Sequence, residues 1–291
     1  MSGGRRGSAR VVELNVHPEG EPRAMFPREG VFLTIVFVAA MILRLDFMRA
    51  GGFVIDSDEA IVGLMAKHIL EGASIPVFYY GQHYMGSLEP LCVAFAFAIF
   101  GISSFTLQLV PLLFSGLFVL LMYRLGKEVA GPVVGRVAAL LCAFPPAALV
   151  VWSFKARGGF IELLVIGALS MLFAVRWFRK GPTDLKYPAL IWLLLGIGWW
   201  VNNQIIFFIG SIGVFGALRV LNAWRKTQLS AKQVGALGGV CCASFFIGSS
   251  PYWVYNVARG FPSLGMFGFA PFNELARYVE GLFTTALPII L

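Results

Sequence analysis

Apolar runs long enough to cross a bilayer recur along the chain, and they constrain its fold more than any other feature. The first is Val31 to Phe47, and others follow at about 105–124, 137–154, 160–177, 187–201, 205–221 and 233–253. About 20 mostly apolar residues span the hydrocarbon core as a helix. With 58% hydrophobic and only 13% charged residues, such runs exclude a soluble globular domain. The expectation is an all-α polytopic membrane protein whose partner is the lipid bilayer.

The net charge of +8 lies in the N-terminal tail and in short loops, without a compact basic patch, so it encodes topology rather than nucleic-acid binding. Residues 1–29 are polar and aperiodic and read as a disordered tail. They do not read as a secretory leader, because Val31 to Phe47 is long enough to remain as an anchor. The four cysteines, Cys92, Cys142, Cys241 and Cys242, fall in apolar segments at spacings that fit neither a disulfide framework nor zinc, and are expected to pack as small hydrophobes.

Lys and Arg collect on cytoplasmic loops. Arg5, Arg6, Arg10, Arg23 and Arg28 place the N-terminus inside, so the first span, 30–50, runs outward. The loop holding Arg124, Lys127 and Arg136 is inside only if a single span separates it from the acidic segment after the first. Leu88 to Phe100, with 13 residues, then lies along the outer interface instead of crossing. Alternation continues through the remaining runs and predicts about seven spans. Leu282 to Leu291 reads as an eighth just begun, as though the chain were cut short there.

The first outer loop, 51–104, concentrates polar chemistry. Asp56-Ser57-Asp58-Glu59 places three carboxylates at a membrane exit, where charge is expensive unless used, capped or solvated. Asp56 and Glu59 have capping-box spacing. From Asp58 to Glu71, residues Ile61, Val62, Met65 and Ile69 form an apolar helical stripe, with Glu59, Lys67 and Glu71 on the other side. Gly72 ends this interfacial helix. Pro76 to Gly86 is an aromatic turn carrying Tyr79, Tyr80, Gln82, His83 and Tyr84, and Glu89-Pro90 opens the second interfacial helix.

Elsewhere, Lys155 and Arg157 emerge at an outer span end beside Gly158-Gly159, against the positive-inside bias. They are either phosphate contacts or side chains snorkelling to headgroups. Arg44, near the outer end of the first span, reads as snorkelling, and Trp199-Trp200 as an interfacial belt. A transporter would carry inverted repeats and midplane polar groups, which the sequence does not show.

Together, Asp58-Glu59-Ala60, Ala66 to Gly72, Tyr79 to Tyr84, Glu89-Pro90-Leu91, Gly101 to Leu125 and Lys155 to Glu162 resemble the GT-C glycosyltransferases. The similarity covers roughly residues 30–220 and is greatest to glycosyltransferase family 39, which includes the protein O-mannosyltransferases and the bacterial aminoarabinose transferase. The resemblance implies a GT-C-like bundle of about seven to eight spans with two interfacial helices in the first outer loop. It also implies sugar transfer from a polyprenyl-phosphate-linked donor to an extracytoplasmic acceptor: a cell-envelope glycan, lipid or protein. The site would lie on the outer face of a bacterial inner membrane.

The family's acidic pair maps onto Asp58 and Glu59, with Asp58 as catalytic base. Lys155 and Arg157 would meet the lipid phosphate, with Gln82, His83 and Tyr84 as further substrate contacts. Asp58 and Glu89 are the candidate ligands of a divalent metal. The Lys that follows the latter acid in the family is here Pro90. Glu162 stands within a few residues of a family Asp, and is otherwise an acid in a helix's first turn. Because the family's further spans are absent after Leu291, a non-catalytic or degenerate membrane subunit is the alternative.

Overall fold

The computed structural model describes residues 27–266 and 275–286. Among them the fold is all-α, with twelve α-helices and one small hairpin. The first is α1 (Pro27–Ala50), followed by α2 (Ser57–Leu70), the strands β1 (Phe78–Tyr79) and β2 (Gln82–Gly86), α3 (Leu88–Phe100) and α4 (Ser104–Ala130). Then come α5 (Pro132–Ala143), α6 (Ala147–Trp152), α7 (Phe160–Lys180), α8 (Lys186–Val201), α9 (Ile206–Arg225), α10 (Ala231–Gly248), α11 (Ser250–Arg259) and α12 (Leu275–Gly281). The expected tail falls largely outside the described residues, although 27–29 already belong to α1.

Five helical segments are long and apolar enough to cross a membrane: Glu29–Ala50, Ser104–Ala130, Phe160–Lys180, Asn203–Arg225 and Ala231–Gly248. This is the architecture of an integral membrane protein. Little of the last two is buried within the bundle, as suits helices whose apolar surface is solvated by lipid. α4 packs against α1, α3, α5 and α7; α7 continues to α8, and α8 to α10. The α8–α10 crossing is close enough that a Cβ on Gly196 would lie 2.2 Å from the Phe245 carbonyl oxygen.

Three expected spans are interrupted or short. The run at 137–154 divides into α5 and α6 around Pro145-Pro146, because proline removes a helical donor and disfavours helix in the residue before it. The run at 233–253 divides into α10 and α11, with Pro251 opening the second piece. α8 has only 16 residues and stops at Asn202, whose side chain caps the following 3-10 turn. Of the begun eighth span, Leu282–Ala286 forms a single π-helical turn, and 287–291 lie outside the described residues.

Polar contacts sort the helix ends into two groups. Glu29 accepts from Lys127 Nζ at 2.6 Å and Tyr123 Oη at 3.1 Å, and Glu128 meets Arg176 Nε at 3.2 Å. At the other end gather α2, the hairpin, α3, the loop after α6, and the end of α8, where Asn202 bridges to Met85. The aromatic turn is therefore an antiparallel hairpin closed by Tyr80-Gly81, with φ at Gly81 of +79°. Trp200 does not form a free belt: its Nε1 donates to Val77 O at 2.8 Å and fastens the hairpin.

Arg44 corrects the snorkelling expectation. It is 2% exposed, and its guanidinium donates to the carbonyls of Cys142 at 2.9 Å and Ala143 at 3.0 Å. These carbonyls end α5, where the proline break leaves helical acceptors without partners and the helix dipole favours a cation.

Candidate functional site

The N-terminus of α2 organises the charged cluster. Asp56 is the N-cap: its Oδ1 accepts from Glu59 N at 3.0 Å, while Glu59 Oε2 accepts from Asp56 N at 3.1 Å. The capping box read from spacing is thus formed. Glu59, however, does not face outward. It is fully buried on the face shared with Val62 and Ala66, three and seven positions along the helix. There its Oε1 accepts from Gln108 Nε2 at 3.1 Å and its Oε2 from Lys155 Nζ at 2.6 Å.

Arg157 donates to Asp56 Oδ2 through Nε at 3.0 Å and also through Nη2. Lys155 Nζ stands 3.6 Å from the same oxygen and donates to Val54 O at 3.2 Å. Burial raises the pKa of the Asp56 carboxyl, but the Glu59 amide and the two cations outweigh it and hold the pKa below the usual value. The neighbouring Asp58 is different. Its side chain is exposed and has no partner among the described residues, while its carbonyl accepts from Tyr79 Oη at 2.8 Å. Burial, then the charges of Asp58 and Glu89, push the Tyr79 hydroxyl pKa upward, so it remains a donor.

The cation-bearing loop is also held from below. Glu89, 1% exposed in the first turn of α3, accepts from Gly158 N at 2.5 Å and Gly159 N at 3.0 Å. Both glycines have positive φ, +88° and +87°, and a Cβ would meet Met85 Sδ or Val201 Cγ1 at 2.8 Å, so glycine alone fits. Glu162, in the first turn of α7, is fully buried, and neither carboxyl oxygen has a hydrogen-bond partner among the described residues.

Burial raises the Glu89 pKa to about 7 despite the two amide donors. The folded state then holds a proton that the unfolded chain has released above its ordinary value of about 4.5. Glu89's contribution to stability is therefore full below that value and is lost as pH rises through about 7. Thermal midpoints measured across this window should fall toward higher pH in the unmutated protein. In Glu89→Gln that part of the slope should disappear.

The hairpin divides the remaining predicted residues instead of converging them. Tyr84 packs against the core of α2 and α3. His83 turns toward α11, with Nε2 3.3 Å from Tyr255 Oη, and its carbonyl accepts from Ser263 Oγ at 2.7 Å. Gln82 Oε1 is buried and has no partner among the described residues. His68 Nδ1 lies 3.1 Å from Tyr80 Oη, away from the cations. Asp58 and Glu89 do not make a fitting metal site. Glu89 Oε2 is taken by two amides, and among the described residues no three His, Cys, Asp or Glu side chains group to hold an ion.

No family model, curated protein or solved structure matches this chain. Asp58 presents an exposed carboxylate two residues after Asp56, the acid that holds Arg157, and Arg157 keeps Nη1 free of any described partner. This arrangement can accept a proton at one point and bind an anion at the next. Gln108 was missed from sequence because a single amide within the apolar run of α4 carries no signal of its distant acid.

Proposed function

We propose that the chain is a membrane glycosyltransferase of the GT-C type, similar to glycosyltransferase family 39, which uses a polyprenyl-phosphate-linked sugar. The observation that carries this reading is the approach of Lys155 and Arg157, from one loop, to the acids opening α2. The acceptor is a glycan, lipid or protein of the cell envelope. The N-terminus is cytoplasmic and the cluster faces outward from a bacterial inner membrane.

In the proposed reaction the Asp58 carboxylate takes the acceptor hydroxyl proton as that oxygen attacks the anomeric carbon. The bond from this carbon to the phosphate oxygen breaks, and the polyprenyl phosphate leaves as an anion that needs no proton. Lys155 and the free edge of Arg157 stabilise its charge. Glu59, being buried and fully engaged, aims Lys155 instead of touching substrate. No step is assigned to a metal.

Calorimetric titration of the detergent-purified protein with a panel of polyprenyl-phosphate sugars tests the reading. One member should bind saturably, and Lys155→Ala/Arg157→Ala should weaken it about tenfold or more. A second reading, a non-catalytic membrane subunit, is favoured by the fact that both cations already have acidic partners. Absence of binding by the folded, unmutated protein would select it.

A further inference from the structure

The loop carrying Lys155 and Arg157 has two anchors of different kinds. On one side its cations meet Asp56 and Glu59. On the other, the backbone amides of Gly158 and Gly159 converge on one oxygen of Glu89. Between the two cations Ala156 is fully buried, so the segment has little room to pivot.

Glu89 lies in the first turn of α3, and Gly159 is the N-cap of α7. The carboxylate thus serves two helix N-termini, each of which favours negative charge. The glycines' positive φ turns successive N–H groups toward the same point, and among the described residues no side chain other than Glu89 accepts from them. Without an acceptor, two buried amides would be left unsatisfied, and the loop would shift to solvate them.

We infer that Glu89 is a positioning residue: its double amide clasp fixes the Lys155–Gly159 loop and thereby aims the two cations at the leaving phosphate. The clasp acts through backbone and touches neither donor nor acceptor. The assignment of the phosphate rests on the transferase reading above; the clasp itself does not.

The test compares Glu89→Met, which keeps side-chain bulk but removes the acceptor, with Glu89→Gln, which keeps an acceptor oxygen at the same reach. Amide hydrogen exchange of the full chain in detergent is followed by peptide over residues 154–160 and over the rest of the bundle. Titration with the polyprenyl-phosphate sugar bound by the unmutated protein is run in parallel. In Glu89→Met, exchange over 154–160 should accelerate about tenfold or more while the other peptides keep their protection, and donor affinity should fall by a similar factor. Glu89→Gln should recover most of both.

Unchanged exchange at 154–160 in Glu89→Met would overturn the clasp. So would acceleration spread evenly over the bundle, or failure of Glu89→Met to fold. If the unmutated protein bound no donor, the transferase reading would fall, while the local exchange result would still decide the clasp.

Discussion

Asp58→Asn is expected to lower sugar transfer about a thousandfold while leaving donor binding within a factor of about two, because a positioned general base contributes roughly 10²–10⁴ to rate. The loss should appear in kcat. Asp58 is exposed, its carboxylate has no partner among the described residues, and its backbone contact to Tyr79 survives the substitution. The folded state should therefore be little changed, and an unmutated denaturation profile would confirm that the defect is chemical. Transfer by Asp58→Asn at the rate of the unmutated chain would remove Asp58 from the mechanism.

Glu59→Ala should act in the opposite way, on stability first. It would leave Lys155 Nζ, Gln108 Nε2 and the Asp56 amide without the acceptors that Glu59 supplies. Breaking a buried pair by removing one partner costs roughly 3–5 kcal/mol. Lys155 keeps 19% of its side chain exposed, so the lower figure, about 3 kcal/mol, is expected. Chemical denaturation in detergent would measure it, with Lys67→Ala as the control. That lysine's ion pair with Glu71 is about half exposed on both sides and should contribute under about 1 kcal/mol.

The contrast between these adjacent acids also shows where sequence reading works and where it stops. Consecutive helical residues point about 100° apart, so Asp58 and Glu59 were never able to share one environment. Treating them as a pair concealed this. The capping box was legible because its partners are three residues apart and the rule is local. The ion pairs of Lys155 and Arg157 join residues 96 and 101 positions apart, and no periodicity within either segment encodes that register.

Helix existence was legible wherever apolar runs were long, as for α1, α4 and α7. The breaks were underestimated because run length dominated Pro145-Pro146 and Pro251, whose local effects are strong. The hairpin at Phe78 to Gly86 escaped because its strands are only two and five residues long. They are held by Trp200 and Asn202 from α8 and the turn after it, partners visible only after the helices have assembled.

The Arg44 cap has a consequence for biogenesis. Two of its three carbonyl partners lie 98 and 99 residues later in the chain, the third being Ala40 of its own helix, so during N-to-C synthesis the first helix enters the bilayer long before the distant two exist. An unpaired arginine costs up to about 3 kcal/mol at a helix centre and less toward its ends. Until α5 arrives, Arg44 has only the Ala40 carbonyl of its own helix, 3.0 Å away, to offset that penalty. Insertion of the first helix and delivery of the fifth are thus thermodynamically linked through this one side chain.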